Sequence, residues 1–425
     1  MKVVFVNRFF YPDHSATSQM LSDLAFQLAD DGVSITVITS RQRYDDASAV
    51  LDARETVGGV DIVRVWTSRF GRDRLIGRLF DYLSFYVTSA WAMLLQLRRG
   101  DTLVVKTDPP MLSVIAAPIA WWRGARLINW LQDVFPEIAE RLSGAKPGFL
   151  SRTLFSTLRF LRNRSLRAAD LSVVLGERMS AHLSAQRIPE TQLQIIPNWS
   201  DGRRISPVVP EANALRNRWG LNNTFVVGYS GNLGRAHDIT TMVEAMAETE
   251  ARTVEGSDAV VRPIHWLFIG GGASMTALKT EVERLGLRHV HFHPYQPRDA
   301  LSESLSAADV HLVSLRPELE GLIVPSKYYG IAAAGRPVMF IGDDEGEIGR
   351  LLRDTNTGRC VREGDGAALA AAALKMAGDD AWIRRAGSRA RHVFETRFDF
   401  PIAVTAWHSV LRTGRDQTIP ARKRS

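Results

Sequence analysis

The residues best suited to chemistry lie in the stretch EGLIVPSKYYGIAAAGRPV, which runs from Glu320 to Val338. Its order of residue types predicts a loop that feeds a helix and then returns to a buried strand. Free amides at the start of that helix and the ammonium of Lys327 suit an anion such as a diphosphate, and the carboxylate of Glu320 can accept hydrogen bonds from hydroxyl groups. The pairing indicates a site for a phosphorylated polyol such as a nucleotide sugar. A capped helix with ordinary surface charges explains the same residues equally well.

Two glycine-containing loops in the same half of the chain extend this hypothesis. The sequence YSGNLGR places Gly231, Asn232, Gly234 and Arg235 directly after a predicted strand, which favours a phosphate-binding turn. Three glycines at 270–272 follow another apolar run, where a ligand or a tight strand-to-helix turn explains them about as often. They do not form the dinucleotide fingerprint, which needs G-x-G-x-x-G and a later acidic residue.

A third candidate loop follows the first apolar run of the chain and reads YPDHSATS. Its small polar residues allow backbone amides to approach a ligand closely. We therefore expect this loop to meet the other two where the predicted strands end.

The elements that must position these loops alternate between strand and helix. Short apolar runs predict buried strands, and the apolar spacing between the first two runs is helical. This alternation predicts parallel sheets covered by helices on both faces. Strands are predicted at Val3–Val6, Ile35–Ile38, Asp61–Trp66, Thr102–Val105, Arg126–Asn129, Leu171–Val174, Val226–Tyr229, Ile264–Ile269, Val290–Phe292, Val310–Val313 and Val338–Ile341.

The chain is long enough for two such domains, with 425 residues of which 45% are hydrophobic and 23% charged. A polar stretch punctuated by prolines and glycine between Asn198 and Leu221 marks the boundary. Two open sheets that face each other leave a cleft at the carboxyl ends of their strands, where ligands bind in such folds. The single cysteine, Cys360, excludes an internal disulfide and fits a reducing compartment.

Positive charge is concentrated in the first half of the chain. The formal charge is +7, but Arg64 to Arg187 holds 19 Lys and Arg against nine Asp and Glu, a local excess of +10. Two segments there, Leu79–Leu97 and Phe149–Arg167, combine apolar helical faces with flanking or interspersed arginines. Basic amphipathic helices are typical of anionic membrane surfaces, and helices packed on a sheet with a solvated basic face are the alternative. Nucleic acid is a less suitable partner because the basic residues alternate with apolar ones rather than with exposed aromatic platforms. The sequence contains no uninterrupted apolar run of about 18 residues, so no membrane-spanning helix is predicted.

Eight stretches in order along the chain together resemble the retaining glycosyltransferases of family four. They are FFYPDHSATSQMLSDLA, VSITVITS, LQDVFPE, IIPNWSD, YSGNLG, FIGGG, AADVHLVSL and EGLIVPSKYYGIAAAGRPV. The resemblance is greatest to bacterial exopolysaccharide, colanic acid and O-antigen enzymes. It implies an α/β protein with the GT-B fold, in which two Rossmann-like domains face each other across a cleft. It also implies an acceptor-binding domain over 1–202, a nucleotide-sugar-binding domain over 203–397, a C-terminal helix over 398–413 that packs back on the first domain, and a basic tail over 414–425.

The resemblance also implies roles for individual residues. The catalytic group comprises Glu320, Lys327, Arg235 and Asp133. Donor-binding residues are Gly231, Asn232, Gly234, Arg235, Gly270, Gly271, Gly272, Glu320, Gly321, Leu322, Ser326 and Lys327. Acceptor-binding residues are Asp13, His14, Ser15, Thr17, Gln132 and Asp133.

The chain departs from the family pattern at several of these positions. The family has arginine where this chain has Asn232, and its lysine a few residues later is replaced by His237. A second glutamate, usually a ribose ligand, is replaced by Gly330, and a histidine before the aspartate of the first domain is replaced by Gln132. Binding of the diphosphate must then depend on Arg235, Lys327 and backbone amides.

The resemblance implies a hexosyl- or deoxyhexosyltransferase that uses a UDP- or GDP-linked sugar and a lipid-linked saccharide acceptor, without metal or other cofactor. The implied route passes through an oxocarbenium-like transition state, with positioning and charge stabilisation as the main catalytic terms. The expected location is the inner face of the plasma membrane, peripherally bound. A nucleotide-sugar epimerase of the same architecture and a non-catalytic membrane-docked homologue are the alternatives.

Overall fold

The computed structural model describes residues 2–13, 15–44, 50–70, 75–143, 148–255 and 262–413. The chain divides into two compact units. Unit 1 comprises Met1–Ile196 together with the stretch that starts at Val404, and unit 2 comprises Pro197–Ala403. The predicted basic tail over 414–425 lies outside the described residues.

Unit 1 is built on an eight-stranded sheet in the order β3-β4-β2-β1-β5-β6-β7-β8, in which the β3–β4 pair alone is antiparallel. Its central strands are mainly apolar and almost entirely buried because both faces of the sheet are covered. The strands are β1 Lys2–Val6, β2 Ser34–Ser40, β3 Arg54–Val57, β4 Val60–Val65, β5 Thr102–Lys106, β6 Arg126–Trp130, β7 Leu171–Val174 and β8 Leu193–Ile195. The helices are α1 Ala16–Asp30, α2 Leu75–Gln96, α3 Leu112–Arg123, α4 Glu137–Leu142, α5 Phe149–Ala168 and α6 Glu177–Ala185.

Unit 2 is built on a six-stranded parallel sheet in the order β11-β10-β9-β12-β13-β14. Its strands are β9 Phe225–Asn232, β10 Ile264–Gly271, β11 Val290–His293, β12 Val310–Ser314, β13 Val338–Ile341 and β14 Gly358–Val361. Its helices are α7 Ala214–Arg218, α8 Thr240–Glu255, α9 Met275–Leu285, α10 Leu301–Ser306, α11 Lys327–Ala333, α12 Glu347–Thr355, α13 Gly366–Ala377 and α14 Asp380–Arg397. The last helix, α15, spans Phe400–Arg412. From Val404 onward it belongs to unit 1, where Trp407 is buried against Phe5 and Trp130.

A buried ion pair fixes the start of two neighbouring strands in unit 2. The guanidinium of Arg216 lies 3.0 Å from Oδ2 of Asp309, and both side chains are almost fully buried. The same carboxylate oxygen accepts a hydrogen bond of 2.7 Å from the amide of Val226, in β9. Arg216 donates further to the carbonyls of Leu221, Ala307 and Thr224. Asp309 thus holds β9 beside β12, the two strands from which the candidate site is built.

The predicted fold class is confirmed as an α/β protein with two largely parallel sheets. Every predicted strand is present, with ends that differ by a few residues. Strands β3, β8 and β14 were not predicted from the sequence; all three lie at a sheet edge and are only partly buried. Edge strands carry a weaker apolar signal because one side of each meets solvent.

Candidate functional site

A partly buried cation, Lys327, lies at the carboxyl end of the central strand of unit 2. The ammonium of Lys327 is 3.2 Å from Nε2 of His237 and 5.2 Å from the centre of the Tyr229 ring. Nδ1 of His237 is 2.7 Å from the carbonyl oxygen of Ser314, at the end of β12. These contacts bring together residues that are about 90 positions apart in the sequence.

Burial determines the charge states of His237 and Lys327. Burial and the neighbouring Lys327 lower the pKa of His237 to about 4, so the imidazole is neutral at pH 7. Its Nδ1 then carries the proton that is donated to the Ser314 carbonyl, which leaves Nε2 to accept from Lys327. Burial lowers the pKa of Lys327 to about 8, so its ammonium is still largely charged at pH 7. The arrangement holds one cation in a partly desolvated position with a neutral acceptor on one side.

The glycine loop after β9 lies against the same lysine. Gly231 has φ of +125°, and a Cβ atom there would lie 2.9 Å from Cε of Lys327. A side chain at this position would therefore strain the backbone and fill the space beside the cation. Because Gly231 has no side chain, the stem of Lys327 can lie directly against the main chain of this loop.

The triple-glycine turn packs directly on that loop. A Cβ at Gly272, which has φ of +126°, would lie 2.3 Å from Oδ1 of Asn232. The amide of Leu233 donates to the carbonyl of Gly271 at 2.7 Å, and the amide of Ser274 donates to Leu233 at 2.9 Å. The structure therefore brings the two predicted glycine loops together, and contact between them accounts for the absence of a side chain at Gly272.

The remaining predicted donor residues differ in how accessible they are. Arg235 and Asn232 are exposed on the loop, and a Cβ at Gly234 would lie 3.7 Å from Nδ2 of Asn232, an ordinary contact distance. Ser326 is exposed directly before α11, which begins at Lys327. Leu322 is only 3% exposed and belongs to the core, so only its backbone could contact a ligand.

Glu320 contacts the start of α12. Its Oε1 accepts a hydrogen bond of 2.8 Å from the amide of Glu347, and its Oε2 lies against Gly346. The carboxylate thus caps a helix whose N-terminal dipole stabilises negative charge. Its predicted role with donor hydroxyls stays a prediction, and any such role must coexist with this cap.

The sheet order explains why these loops meet. β9 lies between β10 and β12, so the chain reverses its direction across the sheet at this strand. Ligands of open α/β sheets bind at the carboxyl ends of the strands that flank such a reversal. The loop after β9 and the end of β12 occupy that position, which favours unit 2 as the binding unit for a nucleotide.

Unit 1 has a comparable reversal at β1, which lies between β2 and β5. The candidate loop after β1 is organised by Asp13, whose Oδ1 accepts 2.8 Å from the amide of Ser15 and whose Oδ2 accepts from the amide of Tyr44. Asp13 is 4% exposed, so its carboxylate is used to hold the loop. His14, also predicted to bind the acceptor, lies outside the described residues.

Asp133 and Gln132 lie beyond β6, at the same edge of the sheet. Burial raises the pKa of Asp133 to about 6, and a hydrogen bond from Thr107 opposes the rise. Its Oδ1 is buried and has no hydrogen-bond partner among the described residues, and the same is true of Nε2 of Gln132. Two buried polar atoms without partners at one place are typical of a site that is completed by a ligand or water.

Lys106, the last residue of β5, was not singled out by the sequence. Its ammonium donates 2.9 Å to the carbonyl of Thr17 and lies 3.7 Å from the centre of the Trp130 ring. Burial lowers its pKa to about 7. Lys106 and Asp133 line one cavity of about 20 Å³, room for roughly one water. The sequence feature that could have identified Lys106 is the lysine at the end of the buried strand TLVVK.

A large apolar face covers one side of unit 1. α2 and α5 both pack beside α3, which covers the sheet. The face consists of exposed large apolar side chains from this helical layer and from the segment before it. They are Trp66, Phe70, Ile76, Leu79, Phe80, Leu83, Val87, Trp91, Leu95, Trp121, Trp122, Phe149, Leu150, Leu154, Phe160 and Leu161. We call this set the apolar face.

Two arginines of the basic segment Phe149–Arg167 form ion pairs with carboxylates of unit 1. Arg162 is 5% exposed and lies 2.6 Å from Oε1 of Glu137, and Arg159 lies 2.7 Å from Oε2 of Glu140. These ion pairs attach α5 to α4. The exposed arginines of α5 are Arg152, Arg164 and Arg167. Two others near α2, Arg72 and Arg74, lie outside the described residues.

Comparison with known proteins agrees with the division into two units. Residues 16–199 match the family model described as a glycosyl transferase 4-like domain, and residues 224–379 match the one described as glycosyl transferases group 1. The chain is 28% identical over 273 residues to a probable glycosyltransferase, WbjE of Pseudomonas aeruginosa, covering 64% of this chain and 65% of that protein's length. It is 24% identical over 363 residues to the putative colanic acid biosynthesis glycosyl transferase WcaI of Escherichia coli K12, covering 83% of this chain and 86% of that protein.

Solved structures with the same fold cover almost the whole chain. A sucrose-phosphate synthase from Thermosynechococcus elongatus has a TM-score of 0.74 at 17% identity, covering 97% of this chain and 98% of its own. HepE of Anabaena has a TM-score of 0.68 at 16% identity, covering 97% of this chain and 99% of its own. WaaG, a glycosyltransferase of lipopolysaccharide biosynthesis, has a TM-score of 0.69 at 16% identity, covering 96% and 99%. The chain therefore belongs to the GT-B glycosyltransferases that combine a glycosyl transferase 4-like domain with a glycosyl transferases group 1 domain.

Proposed function

We propose that the protein transfers a hexosyl or deoxyhexosyl group, with retention of configuration, from a UDP- or GDP-linked sugar to a polyprenyl-diphosphate-linked saccharide. The observation that carries this proposal is the Lys327 ammonium, held by neutral His237 beside the positive-φ turn at Gly231. One cation and an accessible main chain at the carboxyl end of β9 suit the diphosphate of such a donor. HepE, which shares the fold, is known in complex with UDP-glucose.

The cation also accounts for the departures from the family pattern. The position of the family's loop lysine is occupied by His237, and Lys327 places its ammonium 3.2 Å from that imidazole. The charge is thus supplied to the same loop from α11 instead of from the loop itself. Arg235 is exposed on the loop and can add a second positive charge when a donor binds.

The transfer needs no covalent enzyme intermediate. The acceptor hydroxyl oxygen bonds to the anomeric carbon as the bond from that carbon to the diphosphate oxygen breaks. The hydroxyl proton passes to the departing diphosphate, so that a glycoside and a nucleoside diphosphate are the products. Lys327 and the glycine-loop amides stabilise the charge that develops on the diphosphate, and Glu320 orients donor hydroxyls. Asp133 of unit 1, with its unpartnered Oδ1, orients the acceptor.

The nucleotide can be identified by titrating UDP and GDP separately into the purified protein in a calorimeter. We expect one of the two to bind in the micromolar range and the other at least tenfold more weakly. The absence of binding for both would leave unit 2 without the proposed ligand.

Donor binding is expected to weaken as the pH rises above about 8. Burial lowers the pKa of Lys327 to about 8, so the ammonium loses its proton through that region and with it the charge that attracts the diphosphate. The dissociation constant of the nucleotide, measured by calorimetry from pH 7 to 9.5, should rise by up to tenfold per pH unit above the pKa. The Lys327→Arg variant keeps its charge throughout and should lose this dependence. A pH-independent wild type would remove Lys327 from the binding site.

We also infer that unit 1 attaches to the inner face of the plasma membrane through the apolar face. Exposed apolar patches of this extent on a soluble surface mark interaction sites, and a lipid-linked acceptor requires access to a bilayer. Arginines at Arg152, Arg164 and Arg167, with Arg98 and Arg99 beyond α2, can meet anionic headgroups. Within the described residues, no helix has the length and apolar character needed to cross a bilayer.

The attachment predicts flotation with anionic liposomes at low salt. Replacing Ile76, Phe80 and Leu83 together with serine should reduce the floated fraction at least tenfold, because each fully buried side chain of this type contributes about 1.5–3 kcal/mol. All three are exposed on α2, so the fold should not depend on them. The matched control is Leu285→Ser, an exposed leucine of α9 in unit 2. Equal flotation of the triple variant and the wild type would assign the apolar face another role.

A further inference from the structure

An apolar groove runs along α2 in unit 1, on the side that faces the edge strands of the sheet. It has a volume of about 500 Å³ and is open to solvent. Its walls are formed by Val63, Val65 and Trp66 on one side and by Val87, Trp91 and Leu95 on the other. Its floor includes Ala92, which is only 6% exposed. This size lies within the range of small-molecule sites, about 300–1,000 Å³.

The chemistry of the lining favours a hydrocarbon chain. Among the residues that line the groove, only Arg54, Thr88 and Gln96 are polar. The hydroxyl of Thr88 lies within hydrogen-bond distance of the carbonyls of Trp66 and Ser84, so its proton is already used within the protein. A peptide strand laid in the groove would bury amides without partners, which is costly. An alkyl or isoprenoid chain has no such groups.

The groove opens at the edge of the sheet where the acceptor loops lie. Trp66 directly follows β4, and β4 runs parallel to β2, which runs parallel to β1. The carboxyl ends of these strands therefore share one edge, which also carries the loop held by Asp13 and the buried Lys106. Arg69 is exposed three residues after Trp66, so a cation lies near this end of the groove. An apolar channel with a basic residue near its mouth is complementary to a chain that ends in a phosphate.

We propose that this groove binds the first isoprene units of the polyprenyl chain of the acceptor, with its diphosphate at the Trp66 end near Arg69. The proposal rests on the proposed function, since it assigns a place to the acceptor's tail. The groove ends at the sheet edge that carries the predicted acceptor loop. This location favours the acceptor's own chain as the occupant over an acyl chain of the surrounding lipid. The remainder of the tail would continue along the apolar face into the bilayer, since Val87, Trp91 and Leu95 belong to both.

The test is calorimetric titration of the full-length protein with farnesyl diphosphate below its micelle concentration. We expect saturable binding that is at least tenfold tighter than that of inorganic diphosphate. Ala92→Phe fills the floor of the groove and should weaken farnesyl diphosphate binding at least tenfold. Leu285→Phe, an apolar enlargement at an exposed leucine of α9 in unit 2, should leave it unchanged. Trp91→Ala, at a side chain that is 65% exposed and needed by no core, provides a second variant that should also weaken binding.

Several results would overturn the proposal. Binding of farnesyl diphosphate to Ala92→Phe and Trp91→Ala with wild-type affinity would place the ligand elsewhere. Dodecyl phosphate that binds as tightly, with the same loss in Ala92→Phe, would assign the groove to an acyl chain. UDP or GDP binding and liposome flotation are measured on the same wild-type protein. If these are retained while farnesyl diphosphate does not bind, the groove assignment fails and the proposed function stands.

Discussion

Lys327→Met is expected to lower kcat/KM for the nucleotide sugar by at least 100-fold. Methionine keeps the length and packing of the side chain against Tyr229 but removes the ammonium beside His237. Removing one preorganised donor to a developing oxyanion typically costs about 2.7–4 kcal/mol of transition-state stabilisation. Both nucleotide affinity and turnover should fall, since the diphosphate gains negative charge as the glycosidic bond breaks. Steady-state kinetics with a labelled donor measure the effect.

The matched control is Lys375→Met, an exposed lysine of α13 in the same unit. It should leave the kinetics within about twofold of the wild type, as surface substitutions usually do. If Lys327→Met is equally active and folded, the cation does not bind the donor, and the assignment of unit 2 loses its main support.

Arg216→Met is expected to lower the free energy of unfolding of unit 2 by about 3–5 kcal/mol, the usual cost of removing one partner of a buried ion pair. The substitution leaves Asp309 buried with its charge uncompensated and removes the donor to three backbone carbonyls. Because Asp309 also holds the amide of Val226, the start of β9 should lose order first. Differential scanning calorimetry should show the unit 2 transition shifted by several degrees.

Arg218→Met, an exposed arginine in the same helix, separates loss of the pair from loss of a charge. It should melt with the wild type. Equal melting temperatures for the Arg216 and Arg218 variants would mean that the buried pair is replaceable by packing alone, as happens in some proteins when both charges are removed.

The interiors of both sheets could be predicted from the sequence because their strands are buried on both faces. Val338–Ile341 and Leu171–Val174 were predicted with the bounds that the structure has. The edge strands could not be predicted with the same rules, since a strand such as Arg54–Val57 alternates between exposed and half-buried residues and has no apolar run.

The candidate site was predictable only in its local parts. The stretch around Lys327 indicated a cation near a loop, and the glycines indicated turns. The contact between Lys327 and His237 depends on the order of β9 and β12 in the sheet, which no local pattern contains. The role of Glu320 as a helix cap for α12 is likewise a tertiary contact, as is the burial of Lys106 over Trp130.

The number of basic residues in a segment of unit 1 does not predict which of them are exposed. Arg152 and Arg162 both belong to the basic amphipathic segment of α5, yet one is exposed and the other is buried against Glu137. In α2, Phe85 and Met93 pack in the core of unit 1, as expected for a helix that covers the sheet. Val87 and Trp91 of the same helix are exposed, and their contact with a membrane stays a prediction.

The central claim is that the protein uses Lys327 to bind a nucleotide-diphosphate sugar and moves the sugar to a lipid-linked acceptor. It is tested most directly by incubating the purified protein with radiolabelled UDP- and GDP-sugars and a bacterial lipid extract, and counting label in the organic phase. The account predicts label transfer from one donor by the wild type and by Lys375→Met, and at most about 1% of that rate for Lys327→Met. Undiminished transfer by a folded Lys327→Met variant, or no transfer from any donor by the wild type, would contradict it.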